Sequence, residues 1–411
     1  MTINRAIFLQ PNYRKLFLAR TISNFGNGMT PTALAFAILA LDGADAVDLS
    51  YVLTAQAIPL VLLLPLGGVI ADRMGRARMI GSMDIILSGV MMMMAVAFAI
   101  DAATIPLLIV LSALSGILNA LWYPAYPGLP TDIVEDEHLQ TANAYISFGS
   151  NAAIIAGAAT GGLLVATIGS AYALAIDAAT FFVAGVMIWT LRHTSSRSKS
   201  GESIFKELHD GWKVFISYRW VVLVVVAFSF IVMTVRATEG VLGPLVAKDH
   251  FNGAISWSLI TAAEGVGLLV GALMGVKIRP RRPIFWGMIV TLPAAFLQLS
   301  LALVFPLPVI MLAAAAWGIG IELMMIWWIT ELQGHIPRES LGRVSAYDAF
   351  GSLIFGPIGL ALAGPLAISI GTRSTLFAGA TVVAIAVGAT LFSSSIRNLR
   401  PASDNLDSAE A

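Results

Sequence analysis

Twelve long apolar runs set the strongest limit on what this chain can fold into. Each holds roughly 20 residues or more, which is the length that an α-helix needs to cross a bilayer. The runs lack alternation at period two and are too long for barrel strands. Only 12% of the 411 residues are charged, whereas soluble domains carry about 25%. The sequence therefore predicts an all-α membrane protein with twelve transmembrane helices, spans 1 to 12, at about 16–41, 49–71, 79–100, 105–126, 142–168, 172–191, 221–247, 256–276, 283–304, 309–332, 344–370 and 375–395.

The positive charges sort to one side of the predicted membrane. If both termini lie in the cytoplasm, only Lys248 and Arg373 fall in outer loops. Because cytoplasmic loops are rich in Lys and Arg, this pattern predicts a multi-pass protein of the cell (inner) membrane with both termini cytoplasmic. Topology also explains the basic clusters without a nucleic-acid partner. The chain has no cysteine, which excludes disulfides and thiolate metal sites.

The two halves of the chain repeat each other. The segment AYISFGS at 144–150 recurs as AYDAFGS at 346–352. At the same offset, glycines of the first half meet glycines of the second, Gly162 with Gly364 and Gly169 with Gly371. Paired halves with a substrate site at their interface are a recurring plan among transporters. We therefore predict two pseudo-symmetric six-helix bundles.

The predicted domains follow from this repeat. They are an N-terminal bundle at 1–191, a cytoplasmic linker at 192–219 and a C-terminal bundle at 220–411 that ends in a short cytoplasmic tail. The first part of the linker is polar. Its second part spaces apolar residues as in a helix, which indicates a helix lying in the membrane interface.

A short basic loop follows span 2 and reads GVIADRMGRAR at 68–78. Gly68 permits close helix packing, Gly75 permits a tight turn, and three arginines gather at one membrane face. The spacing G-x-x-x-D-R-x-G-R-x-R matches the signature between spans 2 and 3 of the major facilitator superfamily. On these residues the chain resembles that family, whose fold places twelve helices in two bundles.

The resemblance implies a gate at this loop. Asp72, supported by Arg73 and Arg76, would face the N-terminus of span 11 and hold the outward-facing state. Asp348, one turn inside span 11, is expected to pair with Arg73 or Arg76 when the halves close. The predicted gate residues are Gly68, Asp72, Arg73, Gly75, Arg76 and Asp348.

Further segments look like the branch of this family that contains macrolide and enterobactin exporters. They lie at 12–17, 22–26, 139–144, 175–181 and 341–345. What this resemblance implies is proton-coupled efflux of small amphipathic compounds by alternating access. Two features depart from many drug/proton antiporters. Span 5 lacks the proline of their Gly-Pro-x-x-Gly-Gly kink, although glycine alone or Gly356-Pro357 in span 11 offers compensation, and span 4 lacks their arginine.

Ionisable residues within the spans are candidates for function because a charge near the bilayer centre costs about 2.5–3.5 kcal/mol. Glu264 in span 8 and Glu322 in span 10 lie near the midplane. We predict that Glu264 is the proton-carrying group, with Glu322 as the second choice. For each residue the alternative role is a structural hydrogen bond to a neighbouring helix. Arg236 and Glu239 are three positions apart in span 7, so the two can pair, with a substrate role about equally open. Both are further candidates for proton coupling.

Other polar residues receive weaker assignments. Asp84 and Asp177 lie in supporting spans, where structural hydrogen bonds are expected, and Glu331 is expected to be solvated near the cytoplasmic interface. The five histidines fall in loops or at span ends, so no histidine relay is predicted. Polar and aromatic candidates for the cavity wall, with helix packing as the alternative, are Asn24, Asn27, Asn119, Trp122, Tyr123, Trp327 and Trp328.

The sequence discriminates among four classes of function. The favoured one is a secondary transporter that exports small amphipathic compounds in exchange for protons, and the alternative is an importer or uniporter of a small metabolite. A membrane enzyme would need a clustered nucleophile or metal ligands, which the sequence lacks, so no catalytic residue, metal or cofactor is predicted. Midplane carboxylates argue against a non-transporting receptor. The expected partners are a small-molecule substrate, protons and the lipid bilayer, with a monomer as the working form.

Overall fold

The computed structural model describes residues 8–191, 212–399 and 401. Within these ranges, the side chains are described except at 65–74, 127, 136–137, 140, 276, 338–340, 342–343 and 346. The described residues form helices and no strand, which confirms the all-α prediction. The interfacial helix predicted in the linker falls mostly outside the described residues, which resume with a short helical stretch at 212–217.

The first six spans are single helices. Each begins and ends close to its predicted apolar run, because the polar and glycine-rich segments between the runs break the helices. Span 5 continues through its glycines as one helix of 33 residues, so the missing proline leaves no break. The bounds are Pro11–Leu39, Ala46–Met74, Arg76–Ala99, Ile105–Ala125, Asp136–Ile168 and Ser170–Trp189.

Three of the last six spans are interrupted. Span 7 combines Arg219–Ala237, a π-helical turn at Thr238–Leu242 and Gly243–His250. Span 9 breaks where Pro293 begins its second helix, and span 11 breaks before Gly356-Pro357, since proline cannot continue the preceding helix. The bounds of spans 8 to 12 are Ala254–Lys277, Pro283–Ile289 with Pro293–Ala302, Leu307–His335, Arg338–Leu353 with Gly356–Ser369, and Thr372–Phe392.

Eleven of these segments are long and apolar enough to cross a membrane, as judged over the described residues. Span 1 is not among the eleven because polar and small residues, among them Asn24 and Asn27, keep its mean hydropathy low even beyond Arg20. Its 29 residues nevertheless match the length of the other spans. The structure thus supports the predicted twelve-helix membrane fold.

The chain divides into two compact units. Unit 1 contains 1–199 and 247–262, and unit 2 contains 200–246 and 263–411. In unit 1, span 1 packs on spans 5 and 6, span 2 on span 4, and span 3 on span 6. In unit 2, span 7 packs on spans 11 and 12, and span 9 on span 12.

Repeated glycines explain why the two units share this packing plan. A Cβ at Gly157 in span 5 would overlap the Phe25 carbonyl oxygen of span 1. Its repeat partner Gly359 in span 11 approaches the Met233 carbonyl oxygen of span 7 in the same way. Gly169 and Gly371 turn the chain into spans 6 and 12 with φ of 91° and 89°, where glycine avoids strain. The sequence repeat is therefore a repeat of helix contacts and turns.

Candidate functional site

The helices of unit 1 line a polar cavity of about 300 Å³. All five predicted wall residues of this half lie on it, together with residues that the sequence did not single out. The lining consists of Arg20, Ser23, Asn24, Asn27, Asp84, Asn119, Trp122, Tyr123, Ile154 and Phe181. Polar groups therefore converge with aromatic walls, as is typical of small-molecule sites.

Arg20 is the buried cation of this cavity. Its side chain is 8% exposed, and its guanidinium lies 4.5 Å from the ring centre of Trp122 and 4.4 Å from that of Tyr126. The two rings are themselves stacked, with centroids 5.0 Å apart. The aromatic faces stabilise the positive charge by cation–π attraction where water is scarce. A cavity cation is thus present although span 4 lacks an arginine.

Asp84 of span 3, for which we expected a structural hydrogen bond, lies on the cavity and is 1% exposed. Its carboxyl lies near Arg20 and Trp122, yet no described residue completes a hydrogen bond to its Oδ2 atom. The Nε atom of Arg20 likewise has no hydrogen-bond partner among the described residues. Both charges therefore lack a full set of protein partners.

The side-chain amides on the same wall use only part of their hydrogen-bonding capacity. The Asn24 Oδ1 atom accepts from Asn27 Nδ2 at 3.3 Å and, more distantly, from an Arg20 nitrogen at 3.5 Å. Asn119 donates to the Ser115 carbonyl oxygen at 2.9 Å within its own helix. Tyr123 remains 54% exposed. These groups leave donors and acceptors available for a ligand in the cavity.

Asp177 has the structural bonding that we expected of it. It is fully buried and accepts a hydrogen bond of 2.5 Å from the Thr30 hydroxyl, which joins span 6 to span 1. A Cβ at Gly26 would overlap this carboxylate, so the glycine makes room for it. Asp177 therefore holds two helices together beside the cavity.

Unit 2 contains all four predicted proton-coupling residues and brings three of them close together. Arg236 pairs with Glu239 at 3.4 Å, and the Glu264 carboxyl lies near Glu239 and the Trp317 indole. Glu239 belongs to the π-helical turn of span 7. Such turns are rare and are often found at functional sites. One arginine and two carboxyl groups thus form a single cluster, which we call the Glu239–Glu264 cluster.

Glu322 lies apart from this cluster. It sits on the face of span 10 that meets Gly271 of span 8, and no hydrogen bond or ion pair to it is described. A second small void of about 10 Å³ lies beside Glu239, Gln298 and Trp317. The described part of unit 2 therefore has a compact polar cluster where unit 1 has an open cavity.

The indole N–H groups of Trp327 and Trp328 in span 10 donate hydrogen bonds to other residues of the protein. Trp327 donates to the Ile278 carbonyl oxygen at 3.1 Å, and Trp328 donates to the Asp348 carboxylate at 2.8 Å. Both side chains are buried. They were predicted as cavity walls, and neither lines a described cavity. Their contacts show helix-packing roles, and a substrate role stays a prediction.

The predicted gate residues are described only in part. Arg76 pairs with Asp132 at 3.1 Å and donates to the Gly128 carbonyl oxygen at 3.3 Å, both within unit 1. Gly75 starts span 3 with a φ of 86°, as the predicted tight turn requires. Asp348 accepts from Trp328 and Ser352 within unit 2. Gly68, Asp72 and Arg73 lie outside the residues with described side chains.

Glu331 was expected to be solvated, and that expectation is wrong. The residue is 3% exposed and lies 3.2 Å from His335, one helical turn further along span 10. The His335 ring also contacts the edge of Trp220. Packing of spans 7 and 10 therefore buries a carboxylate that sequence position alone placed in water.

Sequence reasoning missed Arg20 as a cavity residue. The available signal was its spacing, because Arg20 lies one helical turn before Asn24 and so shares its face. The aromatic partners come from span 4 and the turn that follows it, about 100 residues away, which no local pattern reveals. Within the described residues, no group of three or more acidic or histidine side chains is arranged to hold a metal.

Comparison with known proteins places the chain in a family. Residues 16–360 match the family model of the Major Facilitator Superfamily. The multidrug efflux pump Tap of Mycobacterium tuberculosis is 27% identical over 376 residues, which cover 88% of each chain. The enterobactin exporter EntS of Escherichia coli is 26% identical over 366 residues, which cover 85% of each chain.

Solved structures agree at the level of the fold. The nucleoside transporter NupG superposes with a TM-score of 0.76 at 14% identity, over 92% of this chain and 98% of that chain. A bacterial homologue of the lysosomal transporter Spinster gives 0.72 at 16% identity, over 95% and 99%. With its helical architecture, its matched residues and these relatives, the chain belongs to the Major Facilitator Superfamily and is a multi-pass membrane transporter.

Proposed function

We propose that this transporter exports small amphipathic compounds in exchange for protons by alternating access. Export is favoured because Tap is a multidrug efflux pump and EntS is an exporter, and each is similar over most of the chain. The likeness to the nucleoside transporter NupG carries no weight on direction, since at 14% identity it bears on the fold alone. The cavity of unit 1 offers a polar and aromatic wall for the substrate.

The observation that supports proton coupling is the Glu239–Glu264 cluster. Two carboxyl groups share one neighbouring arginine in a membrane span. A single positive charge balances only one of them. Unlike the exposed Arg236, Glu264 is half-buried, and a second, unbalanced carboxylate at such a place in a membrane span is costly. Binding of one proton to the pair removes that cost. Such a cluster is suited to taking up and releasing a proton during transport.

Within the pair, we assign the mobile proton to Glu264. Arg236 contacts Glu239 directly, which stabilises Glu239 in its charged form. Glu264 lies beside the Trp317 indole and the Glu239 carboxyl, and Arg236 acts on it electrostatically without a described ion pair. The π-helical turn that carries Glu239 offers a flexible point at which the two carboxyl groups can separate.

Glu264→Gln tests this assignment, with Glu322→Gln as the matched control. Both variants replace a span carboxyl by an amide of the same shape, but only Glu264 belongs to the cluster. Uptake of an amphipathic dye is measured in inverted vesicles with an imposed proton gradient. We expect Glu264→Gln to lose accumulation against the dye gradient, because its amide cannot cycle a proton. Glu322→Gln should still concentrate the dye.

The opposite results would overturn the proposal. If Glu264→Gln still concentrates the dye, coupling does not use this carboxyl. If only Glu322→Gln loses accumulation, the mobile proton belongs to span 10. Uptake by the wild type that appears only when the gradient is reversed would identify an importer instead. Equilibrium binding of the dye by Glu264→Gln distinguishes lost coupling from lost recognition.

The remaining assignments complete the proposal. Both termini lie in the cytoplasm, the bundles at 1–191 and 220–411 are joined by the linker at 192–219, and the protein works as a monomer in the inner membrane.

Asp72 acts as the latch of the loop after span 2. Asp72→Asn should insert normally and largely lose transport, and near-normal flux at normal expression would rule out the latch.

A further inference from the structure

Arg20 and Asp84 form the most unusual pair of charges in unit 1. Both are more than nine-tenths buried, both line the same cavity, and they come from spans 1 and 3. The structure describes no direct ion pair between them, although the Asp84 carboxyl lies within the electrostatic reach of Arg20. Each keeps a buried atom without a hydrogen-bond partner among the described residues.

Unpartnered buried polar atoms are costly, at about 1–3 kcal/mol for each group. The two side chains line the cavity, so a ligand group there can accept a hydrogen bond from Arg20 and donate one to Asp84, which adds partners to both incompletely bonded side chains. When Asp84 is ionised, its charge and that of Arg20 balance each other. A ligand that brings a net charge would leave one excess charge in the cavity, where charges are poorly solvated. The balance therefore favours a neutral group with both a donor and an acceptor.

The other residues of the cavity wall indicate what the rest of the ligand looks like. Trp122, Tyr123 and Phe181 provide aromatic surface, and Asn24 and Asn119 supply further polar contacts. The volume of about 300 Å³ suits one or two fused rings or a comparable apolar body. Tyr123 is 54% exposed and so is available to a ring that enters the cavity.

We propose that this cavity recognises an uncharged hydroxyl, phenol or amide group on an aromatic or apolar body, bridged between Arg20 and Asp84. The inference deepens the proposed export function by naming the chemical class of the group that is bound. It concerns equilibrium binding in unit 1 and does not depend on the direction or coupling of transport. Arg20 acts as donor and Asp84 as acceptor toward the ligand.

Three probes with one ring system test the proposal at pH 7. They are 2-naphthol, which is neutral, 2-naphthoate, which is an anion, and 2-naphthylmethylammonium, which is a cation. Binding to the purified full-length protein in detergent is measured by calorimetry. We expect the wild type to bind 2-naphthol about tenfold more tightly than either ion, because only the neutral probe keeps the cavity charge balanced.

Charge-removing variants supply the decisive contrast. Asp84→Asn leaves Arg20 unbalanced, so 2-naphthoate should become the preferred probe. Arg20→Gln leaves Asp84 unbalanced, so the ammonium probe should become preferred. The double variant restores the balance with two amides and should again prefer 2-naphthol. The double variant also serves where a single variant fails to fold.

A different ranking would overturn the inference. If the wild type prefers either ion, the cavity is not built for a neutral group. If all the proteins rank the probes alike, the binding reflects partition into the detergent and not contact with Arg20 and Asp84. Because no gradient is applied, either result would leave the export assay and its outcome unaffected.

Discussion

The polar region of each unit contains an arginine near acidic side chains, but the two units arrange these groups differently. In unit 1, Arg20 is 8% exposed under two aromatic rings and borders a cavity of about 300 Å³. In unit 2, the Arg236 side chain is 56% exposed and pairs with Glu239, beside a void of about 10 Å³. An open site with unpartnered charges can gain partners from a ligand, whereas a compact cluster can only redistribute its own charge. The contrast supports recognition in the first unit and proton handling in the second.

Beneath this difference lies a common backbone plan. Gly157 and Gly359 hold equivalent helix pairs at equally close approach, and Gly169 and Gly371 make equivalent turns. The repeat therefore constrains backbone contacts and leaves the polar side chains free to diverge. A duplicated scaffold with unlike polar sites allows two tasks to be divided between similar units.

The largest expected effect comes from breaking the shared plan. Gly157→Ala and Gly359→Ala each place a Cβ against a backbone carbonyl oxygen of the facing helix, which cannot move aside as a side chain would. We expect each to lose at least about 3 kcal/mol of stability or to fail to fold, beyond the usual cost of overpacking. The measurement is the folded yield and the thermal midpoint in detergent.

Matched controls exist in the same units. A Cβ at Gly89 in span 3 or at Gly388 in span 12 would meet nothing within 4 Å. Alanine at either position should be neutral or stabilise its helix by up to about 1 kcal/mol. If only one of the two close-approach variants is destabilised, the close helix contact does not contribute equally to the stability of the two units. If the controls are as unstable as the test variants, helix contact is not the cause.

These glycines also show how much of the fold the sequence predicts. The apolar runs predict the twelve helices because a bilayer requires long apolar segments, and the repeat offset by itself pairs Gly157 with Gly359. The interruption of span 9 at Pro293 also follows from a local rule. The π-helical turn at Thr238–Leu242 does not, because no single residue type specifies it.

The sites were less predictable than the helices. Arg236 and Glu239 pair through local spacing, so the sequence indicates their contact. Asp84 approaches Arg20 only because spans 1 and 3 meet in the folded unit. The burial of Glu331 likewise arises from contact with a neighbouring span through His335 and Trp220. Depth along a helix can be counted in a sequence, whereas the side facing a neighbour depends on long-range packing.

A smaller expected effect distinguishes the two arginines directly. Arg20→Lys keeps the charge but replaces a planar guanidinium, which lies over the rings of Trp122 and Tyr126, by a compact and strongly hydrated ammonium. Desolvated cation–π contacts are worth up to about 2 kcal/mol, so we expect the variant to lose about that much stability. Arg236→Lys keeps the charge beside Glu239 at a side chain that is 56% exposed. Its loss should stay within about 0.5 kcal/mol, because exposed ion pairs contribute little.

The comparison is made by thermal unfolding of both variants in the same detergent, at low and at high salt. Only Arg236→Lys should respond to salt, since screening acts on exposed pairs and hardly on buried contacts. Equal destabilisation of the two variants would contradict the proposed contrast between a buried cation–π contact and an exposed ion pair. A salt-dependent loss in Arg20→Lys would show that water and ions reach Arg20. In that case the cavity of unit 1 would no longer favour a neutral ligand group, because solvent would already satisfy its charges.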